Sequence, residues 1–166
     1  MTLEEHIHQR SFPSEQIKLM LHIQLVARQI VAVTRKVLTP YGLTPQQYNV
    51  LRILRGQKGQ AMAVQSLAER MVDPSSNASR LLDKLETKVL VKRTVCQKDR
   101  RRADVVITKK GHAMLDTLDG IIPPSMASIA SCIMENKAGQ LNADLDILLN
   151  ACDNIIEKNT TQTQSK

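Results

Sequence analysis

Residues 65 to 108 constrain this chain more than any other stretch, because the hydrophobic period changes from helical to strand-like inside them. Val64, Leu67, Ala68 and Met71 recur at i, i+3, i+4 and i+7, the spacing of one buried helical face. Val72-Asp73-Pro74 breaks that run. Pro74 disfavours a helical link before it and suits the start of a new helix, with Asp73 as the expected N-cap. Ala78, Leu81, Leu82 and Leu85 then repeat the same spacing. Two short helices joined by a turn of about three residues form a helix-turn-helix. Leu90–Val95 and Asp104–Thr108 read as strands on either side of the charged hairpin Cys96–Ala103, together a β-wing. The polar face of the second helix carries Ser76, Asn77, Ser79, Arg80, Asp83 and Lys84. Short polar side chains and one Arg near a helix start suit a helix tip in a DNA major groove. The backbone can approach closely there while Arg reads guanine edges.

Charge supports the same reading. Residues 91–111 hold eight Lys/Arg against two Asp, whereas residues 112–166 hold three against seven acidic residues. Most of the formal +7 therefore sits around the wing. A basic patch confined to one segment is the footprint of polyanion binding, although a lone charge run is more often a solvated surface.

The flanking segments predict a mainly α protein with a small β-wing. One Phe, two Tyr and no Trp among 166 residues leave an aliphatic, Met-rich core. Residues 1–13 are polar and without period, the expectation for a mobile arm. A long helix starts at Ser14 and runs to about residue 40. Its apolar residues Leu19, Ile23, Val26, Ile30, Val33 and Val37 alternate in steps of four and three, a heptad seam that needs a partner surface. Thr44-Pro45-Gln46-Gln47 is a capping box ahead of a helix that buries Tyr48, Leu51 and Leu54 and turns Arg52 and Arg55 outward, extending the basic surface. Gly56–Gly59 is a turn, and Gln60–Ala63 a candidate third strand. Thr108 caps a further helix, which Pro123-Pro124 kinks or restarts. Lys137–Gln140 is a second turn. A last apolar stripe runs from Leu141 to Ile156 and includes Cys152, read there as a small core residue. Residues 159–166 read as a disordered tail.

No window reaches 18 apolar residues without charge, so no membrane span is expected. The acidic N-terminus does not resemble a signal peptide, and a cytoplasmic location follows. Three scattered cysteines suggest neither a disulfide framework nor a zinc site. His6, His8, His22 and His112 lack metal-ligand spacing, and neither a phosphate loop nor a nucleophile elbow occurs. An enzyme is not expected, nor a cofactor.

Leu82-Asp83-Lys84-Leu85-Glu86, then Val89-Leu90-Val91-Lys92-Arg93, Asp99-Arg100-Arg101 and Ile107-Thr108-Lys109-Lys110-Gly111 together resemble the MarR family of transcription regulators. Leu43-Thr44-Pro45-Gln46-Gln47-Tyr48-Asn49-Val50-Leu51 is similar to an upstream helix of the same family. Each motif is weak alone; their order and spacing, over roughly residues 15 to 156, are specific. The resemblance implies five segments: an arm (1–13), a dimerisation helix (14–40), a winged helix-turn-helix (41–110), linker and C-terminal dimerisation helices (111–158) and the tail. It implies a homodimer on a pseudo-palindrome of double-stranded DNA, with half-sites about 34–36 Å apart. Ser75, Ser76, Asn77, Ser79, Arg80 and Lys84 would meet bases and phosphates. In the wing, Asp99 would orient the hairpin, Arg101 would enter a flanking minor groove, and Lys98, Arg100 and Arg102 would reach phosphates.

The family also implies a repressor regulated by a small effector bound near the dimer helices. Candidate liners are His22, Tyr41, Tyr48 and Met114, each equally readable as core. Thiol sensing is the alternative. It would rest on Cys96, flanked by Arg93 and Lys98, cations that favour a thiolate. A winged helix serving protein or RNA contact is the second class of function, disfavoured by the basic wing.

Overall fold

The computed structural model describes residues 1–73, 77–95 and 103–163. It divides into two compact units, Met1–Ile122 and Pro123–Lys166.

The first unit opens with α1 (Leu3–Ile7) and α2 (Glu15–Leu38). The N-terminal arm is thus partly helical, where its lack of period gave no such expectation. A capping box between Thr2 and Glu5 starts α1, Leu3 is buried, and Lys18 Nζ lies 2.6 Å from Glu4 Oε1. The Lys18 hydrogen bond, with further hydrogen bonds from the backbone and Thr2, lowers the pKa of the Glu4 carboxyl to about 2. Local capping and one ion pair order a segment too short to show a hydrophobic period. Ser14 caps α2, its side chain accepting from Ile17 N. A 3₁₀ turn at Thr39–Tyr41 and Gly42, with φ of 65°, end that helix. α3 (Pro45–Arg55) starts in the expected capping box: Thr44 N donates to Gln47 Oε1 at 3.1 Å and Gln47 N to Thr44 Oγ1 at 3.2 Å. This accounts for Gln47 being polar yet buried.

β1 (Met62–Ala63) leads into α4 (Val64–Glu69), followed by α5 (Ala78–Thr87), β2 (Val91–Val95), β3 (Ala103–Ile107) and α6 (Lys109–Asp119). The sheet has the antiparallel order β1-β3-β2, with Arg93 opposite Val105 and Met62 also opposite Val105. The short third strand is present as expected. α5 does not start at Asp73: Asn77 is its N-cap, so the link from α4 is longer than a three-residue turn. Asn is as good a cap as Asp, and its position sets where the 3.6-residue period begins.

The core of this unit is leucine-rich. Leu38, Leu51, Leu54, Leu67, Leu82, Leu85, Leu90, Leu115 and Leu118 are fully buried with Val50, Val91 and Val105. Methionine contributes less than expected: Met71 is buried, while Met1 and Met134 are exposed. Gly111, in the first turn of α6, packs against the end of α5 and the sheet. A Cβ there would strike the Leu90 carbonyl oxygen and Ile107 Cγ1.

The second unit contains most of α7 (Ile122–Ala130) and all of α8 (Glu135–Thr163). Of the two alternatives, kink or restart, the prolines give a restart, because Pro is tolerated in a first turn whose N–H groups lack partners. The turn expected at Lys137–Gln140 is absent. Gly139 lies inside α8, where glycine costs about 1 kcal/mol relative to alanine but does not end a helix this long. α8 also continues to Thr163, beyond the expected start of the tail.

Both long helices leave apolar side chains uncovered in the single chain. α2 exposes Ile17, Leu19, Val26, Ile30, Val31 and Val33; α8 exposes Leu141, Leu145, Ile147, Leu149, Ile155 and Ile156. By length and composition Glu15–Tyr41 is apolar enough to cross a membrane, contrary to the stricter sequence criterion, which allowed no charge. Cys132 and Cys152 are both exposed, so Cys152 is not a core residue within this chain.

Candidate nucleic-acid interface

α5 is amphipathic in the way its sequence requires. Ala78, Leu82 and Leu85 are buried, while Ser79, Arg80, Asp83 and Lys84 are exposed on the other side. Asn77 occupies the N-cap, its Oδ1 accepting from Arg80 N at 3.0 Å. This bond satisfies one of the donors left open at the helix start. The first turn therefore presents a capped N-terminus, a serine, an arginine and, one turn later, a lysine. The charge and the short side chains are those a phosphate-lined groove accepts.

The approach to α5 is held from α3. Val72 N donates to Asn49 Oδ1 at 3.1 Å, a bond across the helix-turn-helix that fixes the start of the link. Sequence reading passed over Asn49, since a polar residue beside a buried stripe has many uses.

The far end of α5 closes in a Schellman arrangement. Leu90 N donates to Leu85 O at 2.9 Å and Val89 N to Glu86 O at 2.8 Å, with both leucines buried. Val89 takes the left-handed position, φ 60°, usually filled by glycine. Lys88 Nζ donates to the Gly42 carbonyl and Lys110 Nζ to the Lys88 carbonyl at 3.0 Å, so one lysine of the basic segment and one just before it hold backbone.

Arg93 is the other residue that sequence reading undervalued. The sequence places it in the basic stretch, in the Val89–Arg93 motif and near Cys96, with no structural role assigned. On β2 it shares a face with the buried Val91, and it reaches across to α5. Its Nη1 lies 2.6 Å from Asp83 Oδ1 and 3.7 Å from Glu86 Oε2, its Nη2 donates to Ser79 O at 2.9 Å, and its backbone N–H donates to Glu86 Oε1 at 3.1 Å. The legible signal was an arginine at a core-facing strand position.

Arg55 also differs from expectation. It makes two bonds to Asp119 at the end of α6, 2.6 and 3.1 Å, with Asp116 3.7 Å away, so it braces α3 to α6 instead of extending a basic surface. The Asp119 hydrogen bond raises the Arg55 pKa, and the Arg55 hydrogen bond lowers that of the Asp119 carboxyl. Arg52 Nη1 donates to Tyr48 Oη at 2.9 Å.

A family model described as the MarR family matches residues 41–102, from the last residue of the 3₁₀ turn to the residue before β3. A crystal structure of the transcriptional regulator PA4135 is 30% identical, covers 84% of this chain and 98% of its own, and superposes with a TM-score of 0.66. The chain belongs to the MarR family. A curated relative, the HTH-type transcriptional repressor MdtR of Bacillus subtilis, is 33% identical over 93 residues. That match spans 56% of this chain and 59% of the relative's length. The S. aureus MepR–DNA complex is 20% identical, covers 81% of this chain and 97% of its own, and has a TM-score of 0.74, a likeness of fold.

Within this MarR-family fold, Asn77, Ser79, Arg80 and Lys84 lie along the start and exposed face of α5. Ser75, Ser76, Lys98, Asp99, Arg100, Arg101 and Arg102, and with them Cys96, fall outside the described residues. Of the suggested effector liners, Tyr48 is buried on α3, Tyr41 and Met114 are half-buried on the 3₁₀ turn and α6, and His22 is exposed on α2. A concavity of about 260 Å³ beside α1 is lined instead by Ile7, Leu21, Gln24, Leu25 and Arg28. Among the described residues no group of three or more His, Cys, Asp or Glu is placed to hold a metal ion.

Proposed function

We propose that this chain is a sequence-specific, double-stranded-DNA-binding transcription regulator, working as a homodimer in the cytoplasm and without catalytic activity. The observation that carries the reading is the exposed, capped first turn of α5 bearing Ser79 and Arg80, set in a winged helix whose wing segment is strongly basic. DNA as partner is supported by the fold shared with MepR, whose structure is that of a DNA complex. Repression is supported by the MdtR relative.

The homodimer reading is supported by the uncovered apolar residues on α2 and α8, which a partner subunit would remove from water. A membrane would also cover α2. Arg28, however, lies near the middle of that helix, where a bilayer would charge several kcal/mol for it, so a protein seam is the better fit. In a two-fold dimer, two copies of α5 would enter successive major grooves, with the Arg101 side chains in the flanking minor grooves and Lys98, Arg100 and Arg102 on phosphates. Release by a small ligand requires that the ligand bind the free and DNA-bound shapes unequally.

The test is selection of duplexes from a random library by the purified chain, followed by fluorescence anisotropy across salt concentrations. Recovery of a pseudo-palindrome, bound at least about a thousandfold more tightly than scrambled duplex with a steep salt dependence, is expected. Equal, weak binding to both duplexes would discard DNA as the specific partner and turn attention to protein or RNA.

A further inference from the structure

Arg93 stands where an apolar side chain would serve stability as well. Its strand neighbour on the same face, Val91, is buried, and the residue opposite it, Val105, is fully buried. Its own side chain is 29% exposed. Withdrawing a guanidinium from water is costly unless every bond is well formed, and replacing such a group by an apolar residue is often neutral or stabilising. What an aliphatic residue could not supply is direction. The planar fork of Arg93 bonds Ser79 O in the first turn of α5 and Asp83 one turn further on, with Glu86 accepting from its backbone N–H. One residue of β2 is thereby fixed to α5 along most of the helix length.

The ends of this brace matter. Ser79 adjoins Asn77 and Arg80 at the end of α5 that faces the proposed groove, and β2 leads directly into the basic hairpin. The brace also neutralises Asp83, an exposed carboxylate beside Lys84, which would otherwise repel phosphates.

We propose that Arg93 is a positioning residue for DNA recognition, one that sets the angle and register of α5 against the wing without itself contacting the nucleic acid. This rests on the DNA-binding reading above. A residue of this kind holds base contacts in register, whereas a phosphate contact contributes to binding of any sequence.

The test uses the full chain with Arg93→Gln and Arg93→Lys. Two readouts are taken at matched folded fraction, checked by circular dichroism. The first is anisotropy on the duplex selected by the wild-type chain and on its scrambled counterpart. The second is hydrogen exchange of the α5 amides without DNA. Arg93→Gln is expected to lower affinity for the selected duplex at least about tenfold while changing scrambled-duplex binding less than about threefold, and to speed exchange at Leu81–Asp83. Arg93→Lys, which keeps the charge and loses the fork, should recover less than half of the lost specificity on a logarithmic scale.

An equal loss on both duplexes, with the salt slope smaller by about one, would make Arg93 a phosphate contact and overturn the proposal. Unchanged affinity and exchange would overturn it as well. Failure of the wild-type chain to prefer any duplex would instead overturn the DNA reading. The brace would then be judged on exchange alone: faster α5 exchange in Arg93→Gln upholds it and unchanged exchange removes it.

Discussion

Val89 is the clearest case of a single residue at odds with its backbone. A β-branched side chain in the left-handed region meets its own carbonyl, at a cost of about 1–2 kcal/mol. The Schellman bonds from Val89 and Leu90, and the buried Leu85–Leu90 pair, hold it there. Its side chain is 59% exposed, so little packing is lost on removal. Val89→Gly should therefore stabilise the chain by about 1 kcal/mol, the relief of strain being partly offset by the greater freedom of unfolded glycine. A rise of a few degrees in the thermal midpoint would show it; a fall would mean that the strain is absent. At the same scale, Arg101 carries the minor-groove part of the proposed function. Arg101→Ala should weaken binding most at sites flanked by A·T-rich sequence, and anisotropy on duplexes differing only in those flanks reads the effect directly. Flank-independent binding in both proteins would remove the wing from the mechanism.

Among elements, the contact between α3 and α6 depends on pH. Asp119 has its pKa lowered, first by the Arg55 hydrogen bond and then by Coulombic attraction to Arg55 and Arg52, against a raising effect of burial. A carboxyl lowered in the folded state stabilises it above the unfolded pKa, near 3.9, and that contribution is lost as pH falls through the folded value. Asp119 is 38% exposed, so solvent screening keeps the pair to about 1 kcal/mol. Asp119→Asn should thus lower stability by about that amount at pH 7, and the difference from wild type should shrink below pH 4. Urea titrations at both pH values check this. A difference that persists undiminished in acid would assign the effect to packing. Glu4, whose pKa is lowered first by the Lys18 hydrogen bond, acts in the same direction on the contact between α1 and α2.

For the whole molecule, the uncovered faces of α2 and α8 lead to a prediction about assembly. Sedimentation velocity at micromolar concentration should give a dimer. Val26→Glu and Leu149→Glu, each replacing a side chain about half exposed or more in the single chain, should yield folded monomers. A wild-type monomer at tens of micromolar would exclude the homodimer. Monomeric variants should also lose most affinity for a pseudo-palindrome, because two half-sites bound by one dimer gain from effective concentration.

The sequence determined the elements whose signals are local. The Thr44 and Thr108 caps, the stripes of α3 and α5, the two wing strands and the interruption at Pro123-Pro124 follow from period, capping chemistry and the missing proline donor, all contained within a few consecutive residues. Those motifs, in order, also sufficed for the family. Local signals failed where two good choices competed: Asn77 caps α5 in preference to Asp73, and α8 runs through Gly139 because a single glycine costs less than ending a long helix. Tertiary structure alone decided which charges are available. Arg55 and Arg93 look like members of a basic surface in one dimension, yet Asp119 lies 64 residues from the first and Asp83 ten from the second, and only folding brings each carboxylate to 2.6 Å. A charge in sequence has a sign; its partner, and hence whether it is left for a nucleic acid or consumed within the fold, is a property of three dimensions.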